Sequence, residues 1–296
     1  MLMRFAPALF VILWSSGFIA AKLGSGDCEP FTFLTLRFAA VLVLMTLVAR
    51  FTGAPRLTWP QRRDSAIVGL GVHGLYLSGV FWAVRHGMPA GVVALVVCLQ
   101  PIVTSVLAGS VLGERTGARE WVGLLLGVGG SALLLAPKID MSMQAGGGSG
   151  INPATIASAV VALAGITFGT IYQKRSATSV DLVGGAIWQY LGALALCAPA
   201  ALLLETWQVA WTPSFVLALG WLVVVLSIGA ISLLMLLIRS SAVSRVSSLF
   251  YLVPATTALM AYFMFGERLL AVQLIGMVLA MAAVALIAYP RSVPAN

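Results

Sequence analysis

Two prolines lie in the middle of long apolar runs, where their chemistry differs from that of ordinary helix residues. Pro101 and Pro254 lack the N–H group that would bond the carbonyl four residues earlier, so the carbonyls of Val97 and Phe250 are predicted to be free. In an apolar setting, free carbonyls are tolerated where they face protein or a watery cavity. The two prolines therefore predict helix kinks and a pair of hydrogen-bond acceptors near the middle of the molecule.

Polar and aromatic residues at similar depth are candidates for binding a small molecule. A zwitterionic ligand needs donors and acceptors for its two ends, and aromatic rings pack against an apolar side chain. Single Ser and Thr residues in helices more often bond their own backbone, and Trp and Tyr near span ends often mark the membrane interface. Besides the kinks at Pro101 and Pro254, the candidate binding residues are Trp14, Ser16, Arg37, His73, Tyr76, Trp82, Gln100, Thr104, Thr167, Trp188, Gln189, Ser248 and Tyr251.

Two of these candidates, Arg37 and His73, have two competing interpretations. Arg37 is the one charged residue well inside an apolar run, so it either clamps a ligand carboxylate near the outer vestibule or reaches the outer interface or a helix end. His73 and Tyr76 are three residues apart and are predicted to share one helical face. A buried histidine is often only a packing residue, but His73 is also the remaining candidate for a proton relay.

The elements that position these residues follow from composition, because 60% of the 296 residues are hydrophobic and only 9% are charged. Soluble domains carry roughly a quarter charged residues, whereas one membrane span needs about 20 apolar residues. Backbone groups in lipid must be satisfied internally, which favours helices over strands for runs this long. The sequence predicts an all-α integral membrane protein with ten transmembrane helices, at residues 5–23, 31–50, 66–85, 90–112, 119–136, 153–172, 182–203, 214–238, 246–265 and 270–289.

The Lys and Arg residues gather in the loops on one side of these spans. With the first helix entering from the cytoplasm, twelve of the 17 lie in cytoplasmic segments and four in outer segments. Positive loops face the cytoplasm, so we expect a multi-pass protein of the cell inner (plasma) membrane with both termini cytoplasmic. The net charge of +8 is scattered over these loops, and no nucleic-acid partner is expected.

The second half of the chain repeats the first. Residues 101–137 align without a gap onto residues 254–290, with 12 identical pairs in 37 positions that include a Gly-Glu-Arg tripeptide and the prolines at both ends. Upstream, Gly17 and Lys22 match Gly169 and Lys174. We expect one membrane domain, with repeat one at residues 1–137, a flexible external linker at 138–152 and repeat two at 153–296. Because five spans per repeat is an odd number, the two copies are inverted, as in many secondary transporters.

These features resemble the EamA family of the drug/metabolite transporter superfamily. The matching residues are Trp14-Ser15-Ser16-Gly17-Phe18 with Lys22, then Pro30 with Arg37-Phe38, and the duplicated Pro…Gly-Glu-Arg…Gly pattern. Within the family, the chain looks like the YddG-type exporters of aromatic and other neutral amino acids, on overall similarity rather than on one diagnostic motif. The resemblance implies a secondary transporter (exporter) of amino acids or similar small metabolites, working by alternating access around a midplane cavity.

The acidic residues shape the expected mechanism. All nine Asp and Glu residues fall at or beyond span ends, which argues against cationic drugs and against proton coupling through a carboxylate. Glu114 and Glu267 are expected to cap or pair locally in loops. Transport is therefore predicted to be facilitated, and the predicted partners are a small-molecule substrate (an amino acid or related metabolite) and the lipid bilayer, with the protein a monomer.

Other functions stay open from the sequence alone. A sugar, nucleotide-sugar or drug carrier has the same scaffold, and a passive channel is a further alternative. An intramembrane enzyme is disfavoured because the sequence lacks a GxSxG motif, so no catalytic residue is predicted. Three scattered cysteines, Cys28, Cys98 and Cys197, form neither a disulfide framework nor a metal site, and no cofactor or metal is expected. The repeat also predicts that helices 5 and 10 pack together through small residues.

Overall fold

The computed structural model describes residues 2–24, 26–146 and 150–288, and of residues 2–4, 21, 22 and 24 it describes only the backbone. This part of the chain forms ten long helices. Nine of those described are long and apolar enough to cross a membrane, and α1 contains the shorter apolar stretch Phe5–Ala20. The helices are α1 Leu2–Gly24, α2 Pro30–Thr52, α3 Trp59–Arg85, α4 Ala90–Leu112, α5 Ala118–Gln144, α6 Pro153–Ser176, α7 Leu182–Leu204, α8 Pro213–Ser240, α9 Val243–Phe265 and α10 Ala271–Ala288.

The all-helical prediction is confirmed, but several helix ends differ from those expected, among them the starts of α3 and α9 and the end of α5. α3 begins seven residues early because Thr58 and Gln61 form a capping box, with the Thr58 N–H donating to the Gln61 amide oxygen at 2.9 Å. α9 begins three residues early, at a point where Glu114 accepts its first N–H groups. α5 continues through Pro137 to Gln144, so the expected stop at this proline is wrong.

The segment between the repeats is more ordered than predicted. Residues 138–144 belong to α5, so the first part of the predicted linker is helical. At the other end, Gly150 lies so close to Gly87 that a Cβ atom would meet its backbone at 2.0 Å, and the Thr155 hydroxyl donates to the Gly150 carbonyl at 2.7 Å. The glycine run at 147–149, and Pro290 at the end of the second repeat, lie outside the described residues.

Local irregularities recur at equivalent places in the two halves. A widened π-helical segment starts at Leu70 in α3 and again at Leu222 in α8, which are 152 residues apart. α4 and α9 both end at a glycine in the left-handed region, Gly113 with φ 69° and Gly266 with φ 65°. Non-glycine residues rarely adopt this conformation. The duplication therefore extends to backbone detail that apolar patterning alone does not specify.

α5 and α10 pack directly against each other, as the repeat predicted. A Cβ atom on Gly130 would lie 2.8 Å from the Gly276 carbonyl oxygen, and one on Gly123 would lie 3.0 Å from the Ala283 carbonyl oxygen. Such approaches require glycine, because any side chain at these positions would overlap backbone atoms. The small residues thus bring two backbones together along the length of both helices.

Candidate functional site

A cavity of about 600 Å³ opens at one end of the helix bundle. We call this the mouth end; it holds the α1–α2, α3–α4, α5–α6, α7–α8 and α9–α10 connections, and the opposite end is called the far end. The cavity lies between α1, α2, α3, α4 and α9. Its lining reaches from the mid-helix residues Trp14, Tyr76, Val97 and Phe250 to the helix-end residues Cys28, Arg85 and Ala90.

Aromatic rings form the floor of the cavity. Trp14 lies edge-on to Phe250 with ring centroids 5.2 Å apart, and Phe10 packs behind both rings. The hydroxyl of Tyr76 interacts with the indole of Trp14. On the α2 side, Phe33 and Phe81 stack with centroids 5.9 Å apart. Such a floor offers flat apolar faces with a few polar edges, which suits a ligand with a ring or a bulky apolar side chain.

Both prolines lie beside irregular helix turns next to the cavity. The α-helical turns of α4 are interrupted between Val97 and Gln100, and in α9 the turn Leu249–Tyr251 is a 3₁₀ segment. Val97, Phe250 and Pro254 line the cavity, whereas Pro101 is buried. The carbonyls that the prolines leave without their usual partners therefore belong to cavity-lining residues, which fits the arrangement predicted from sequence.

A polar cluster lies behind the cavity wall, between α2, α3, α7 and α8. Arg37 is 3% exposed and donates through Nε to the Ser227 hydroxyl at 3.1 Å, so its side chain stays inside the bundle rather than reaching the outer interface. His73 stacks on Tyr190 with centroids 4.7 Å apart, and its Nε2 lies 3.4 Å from the Gln189 amide oxygen. His73 therefore faces α7, whereas Tyr76 faces the cavity.

Gln100 and Thr104 join α4 to α9 rather than lining the cavity. The Gln100 amide donates to the Thr104 hydroxyl and to the Ser247 hydroxyl, both at 3.1 Å. The Gln100 amide oxygen and the Tyr251 hydroxyl are both buried and have no hydrogen-bond partner among the described residues. This polar contact lies directly beside Pro101, where α4 and the first turns of α9 come together.

Of the predicted binding residues, only Trp14, Tyr76 and Pro254 line this cavity in the described part of the chain. The others make contacts elsewhere: the Ser16 hydroxyl accepts from the Trp221 indole, Trp82 stacks on His86, Trp188 lies under the Arg62 guanidinium, and Ser248 donates to the Arg245 carbonyl. The Thr167 hydroxyl is buried without a partner among the described residues, and the Tyr251 ring packs on Gly127.

Sequence reasoning missed several cavity residues because they are ordinary apolar residues. Phe33, Val80 and Phe81 line the cavity, and nothing in their spacing distinguishes them from lipid-facing residues. Cys98 also lines it and could have been found, because it follows Val97 directly at the helix break that Pro101 predicts. Apolar lining thus becomes visible only after the helices are placed against one another.

At the mouth end, carboxylates tie the α1–α2 loop to the α7–α8 loop. Glu205 accepts from the N–H groups of Phe31 and Thr32 at the start of α2, at 2.8 and 2.6 Å. Glu29 accepts from the backbone and hydroxyl of Thr206, and these hydrogen bonds lower the pKa of the Glu29 carboxyl. Burial, aided by the charges of the neighbouring carboxylates, raises the pKa of the Cys28 thiol to about 12.

At the far end, the helices meet and the equivalent of the cavity is filled. Lys174 donates to the Ile238 and Ser241 carbonyls, both at 2.8 Å, at the end of α8. Glu114 accepts from the Val243 N–H at 3.0 Å at the start of α9. Cavity-lining residues have repeat mates that are buried here: Trp14, Cys28, Ala90, Ala94 and Val253 correspond to Ile166, Val180, Val243, Ser247 and Gln100.

Comparison with known proteins gives a consistent picture. The sequence pattern of the EamA-like transporter family matches residues 4–136 and again residues 153–289. The uncharacterized inner membrane transporter YedA of Escherichia coli (strain K12) is 27% identical over 266 residues, which cover 88% of this chain and 83% of that protein. A probable amino-acid metabolite efflux pump of Salmonella typhimurium (strain LT2) is 25% identical, covering 94% of this chain and 92% of its own.

Two further matches extend this comparison. A probable terminal-alkyne amino-acid exporter of Streptantibioticus cattleyicolor is 28% identical over 287 residues, which cover 95% of this chain and 92% of that protein. One solved crystal structure superposes with a TM-score of 0.78 at 20% identity, covering 97% of this chain and 96% of the other. At that identity the superposition supports the fold alone.

Proposed function

Because the chain belongs to the EamA-like transporter family, we propose that this membrane transporter exports amino acids with aromatic or other neutral side chains. The observation that carries the proposal is the aromatic-floored cavity that reaches the middle of the bundle from the mouth end. A volume of about 600 Å³ accommodates one amino acid with several waters and falls within the usual range for small-molecule sites. The substrate passes by alternating access, as the cavity closes at the mouth and opens at the far end.

The backbone supplies the groups that recognise the amino end of the substrate. Freed carbonyls at Val97 and Phe250 accept hydrogen bonds, and they come from equivalent places in the two repeats. An ammonium group donates three hydrogen bonds, so it pairs well with carbonyl oxygens of the cavity lining. The rings of Trp14 and Phe250 then lie against the substrate side chain, which favours aromatic and large apolar amino acids.

Arg37 supplies positive charge for the carboxyl end. No carboxylate of the described residues lies within ion-pair distance of its guanidinium, whose one described hydrogen bond is to the neutral Ser227 hydroxyl. Arg37 lies near Tyr190 and Tyr76, and Tyr76 lines the cavity. A buried cation without a counter-ion favours an anionic group nearby, so a substrate carboxylate beside Tyr76 is stabilised.

The distribution of Lys and Arg residues among the loops favours an orientation with the mouth end outside the cell. The α2–α3, α4–α5, α6–α7 and α8–α9 connections at the far end carry most of the Lys and Arg residues, so this end faces the cytoplasm with both termini. Transport is facilitated. His73, the candidate for a proton relay, lies behind the cavity wall and stacks on Tyr190. Export then follows from a higher substrate concentration in the cytoplasm.

Counterflow in proteoliposomes tests the function. Labelled phenylalanine is expected to accumulate in vesicles preloaded with unlabelled phenylalanine without any pH gradient, because a carrier exchanges substrate across the membrane. Phenylethylamine, which lacks the carboxylate, is expected to compete at least about tenfold less well. Transport of sugars or cationic dyes without transport of any neutral amino acid would overturn the proposal, and so would flux that requires an imposed proton gradient.

A variant pair localises the site. Trp14→Ala removes a ring of the cavity floor and is expected to raise the KM for phenylalanine about fivefold, with a smaller effect on alanine. Trp211→Ala is the matched control, because the Trp211 side chain is 63% exposed and lies outside the cavity. Equal KM values for Trp14→Ala and Trp211→Ala would show that the substrate binds elsewhere.

A further inference from the structure

The two Gly-Glu-Arg turns make different contacts, although their sequences are equivalent. At the far end, the Glu114 carboxylate accepts from the N–H groups of Val243 and Ser244 at 3.0 and 3.5 Å, so the α4–α5 turn holds the start of α9. At the mouth end, the Glu267 carboxylate is bound by Lys138 at 3.0 Å. A carboxylate at a helix start satisfies unpaired N–H groups and the helix dipole. One carboxylate thus caps the start of a helix, whereas its mate forms an ion pair with a lysine on α5.

The repeat offset identifies the partner that Glu267 would have in the mirrored arrangement. The mates of Val243 and Ser244 are Ala90 and Gly91, the first residues of α4. Ala90 is exposed at the cavity mouth, whereas Val243 is fully buried. Pro89, the residue before α4, makes no side-chain cap for it. The start of α4 therefore has the same unfilled N–H groups that Glu114 fills on α9.

Glu267 lies near this position already. Its partner Lys138 is followed by Ile139, whose side chain packs against Gly91, with 3.0 Å between the Ile139 side chain and a Cβ atom built on Gly91. The Lys138–Glu267 pair is partly exposed, with side-chain exposures of 42% and 32%, so it is weak and easily exchanged. Movement of the α9–α10 turn relative to α5 would bring the carboxylate from Lys138 to the first turn of α4.

From these contacts we infer that Glu267 is the mouth-end latch of the transport cycle. When the far end opens, Glu114 leaves the start of α9, and Glu267 leaves Lys138 and accepts from the N–H groups of Ala90 and Gly91, which closes the mouth. Lys138 competes with α4 for the same carboxylate and so favours the mouth-open state. This inference rests on the proposed alternating access, but it concerns the protein's conformational equilibrium and is testable without any substrate.

Thiol labelling in a cysteine-free background measures this equilibrium from both ends. Ala94 lines the cavity and its mate Ser247 is 1% exposed, so Ala94→Cys reports an open mouth and Ser247→Cys an open far end. A membrane-impermeant maleimide is applied from the corresponding side of oriented vesicles. Adding Glu267→Gln is expected to slow Ser247→Cys labelling about fivefold, because the far-end-open state loses its cap.

Lys138→Met separates a latch from a simple ion pair. Removing the competing lysine is expected to speed Ser247→Cys labelling about threefold, the opposite direction to Glu267→Gln, because the freed carboxylate binds α4 more often. The double variant is expected to follow Glu267→Gln. If Glu267 only stabilised the mouth-open state through Lys138, both single variants would speed labelling, and that result would overturn the inference. Unchanged labelling in Glu267→Gln, with thermal stability retained, would overturn it as well.

Discussion

The start of α4 and the start of α9 derive from the same repeat segment, yet they lie in opposite environments. Ala90 is exposed at a cavity mouth, whereas its mate Val243 is buried and capped by Glu114. Ala94 lines the cavity, whereas its mate Ser247 accepts a hydrogen bond from Gln100. The two helix starts hold equivalent places in the two repeats, although their residues differ, and one is exposed where the other is packed. Exchange of these two packings between the ends is what the proposed alternating access requires.

The largest effect on stability is expected from a change that disrupts the contact between α5 and α10, which extends from the mouth end to the far end. Gly130→Ala places a Cβ atom 2.8 Å from backbone atoms of α10, so it is expected to cost about 2 kcal/mol of stability. The matched control is Gly129→Ala on the exposed face of α5, where nothing lies within 4 Å. Thermal unfolding in detergent measures both variants. Equal melting temperatures would mean that α5 and α10 are not in close contact.

A moderate effect is expected from uncapping α9. Glu114→Gln removes the negative charge that holds the Val243 N–H, so the far end should open more often. Ala94→Cys labelling from the mouth end is expected to fall about threefold, and Ser247→Cys labelling from the far end to rise by a similar factor. The neighbouring substitution Arg115→Gln leaves the cap in place and serves as the comparison. Faster labelling at Ala94→Cys in the Glu114 variant would contradict the assignment of the two ends.

The smallest effect concerns pH at the mouth end. Hydrogen bonds from Thr206 lower the pKa of Glu29 below its ordinary value of 4.5. A lowered folded pKa stabilises the fold above the ordinary value, and this contribution is lost as the pH falls through the lowered pKa. Between pH 6 and pH 3.5, the wild-type melting temperature is expected to fall slightly more than that of Glu29→Gln. Parallel curves for the two proteins would show that this tie does not stabilise the loops.

Much of the fold was predictable because helices that cross a membrane need long apolar runs, which are visible in the sequence. Ten apolar runs predicted ten helices, and the duplicated small residues predicted the α5–α10 contact before any coordinates. The prolines also pointed to the helix irregularities at Val97 and Phe250. These inferences succeed because each depends on local chemistry, namely the length of an apolar run or a missing N–H group.

The site was less predictable because its members come together through tertiary packing. The pairing of Glu114 with the start of α9 joins residues 129 positions apart, and no local pattern signals it. His73 and Tyr76 were expected on one face from their spacing, but His73 lies in the π-helical segment Leu70–Leu75, where the ordinary helical periodicity does not hold. Regular spacing rules therefore fail at the irregular turns beside the cavity.

The α5–α10 contact has a consequence of its own. Under the repeat correspondence, the contact of Gly130 with Gly276 becomes a contact of Ala283 with Gly123, and both are present together in this one structure. The pseudo-twofold axis that relates the two repeats therefore maps this interface onto itself. If the two repeats exchange conformations, the contact between α5 and α10 stays the same. A pair of spin labels on the lipid-facing sides of α5 and α10 should yield one narrow distance under every condition. That distance gives a fixed reference for measuring movements of the other eight helices.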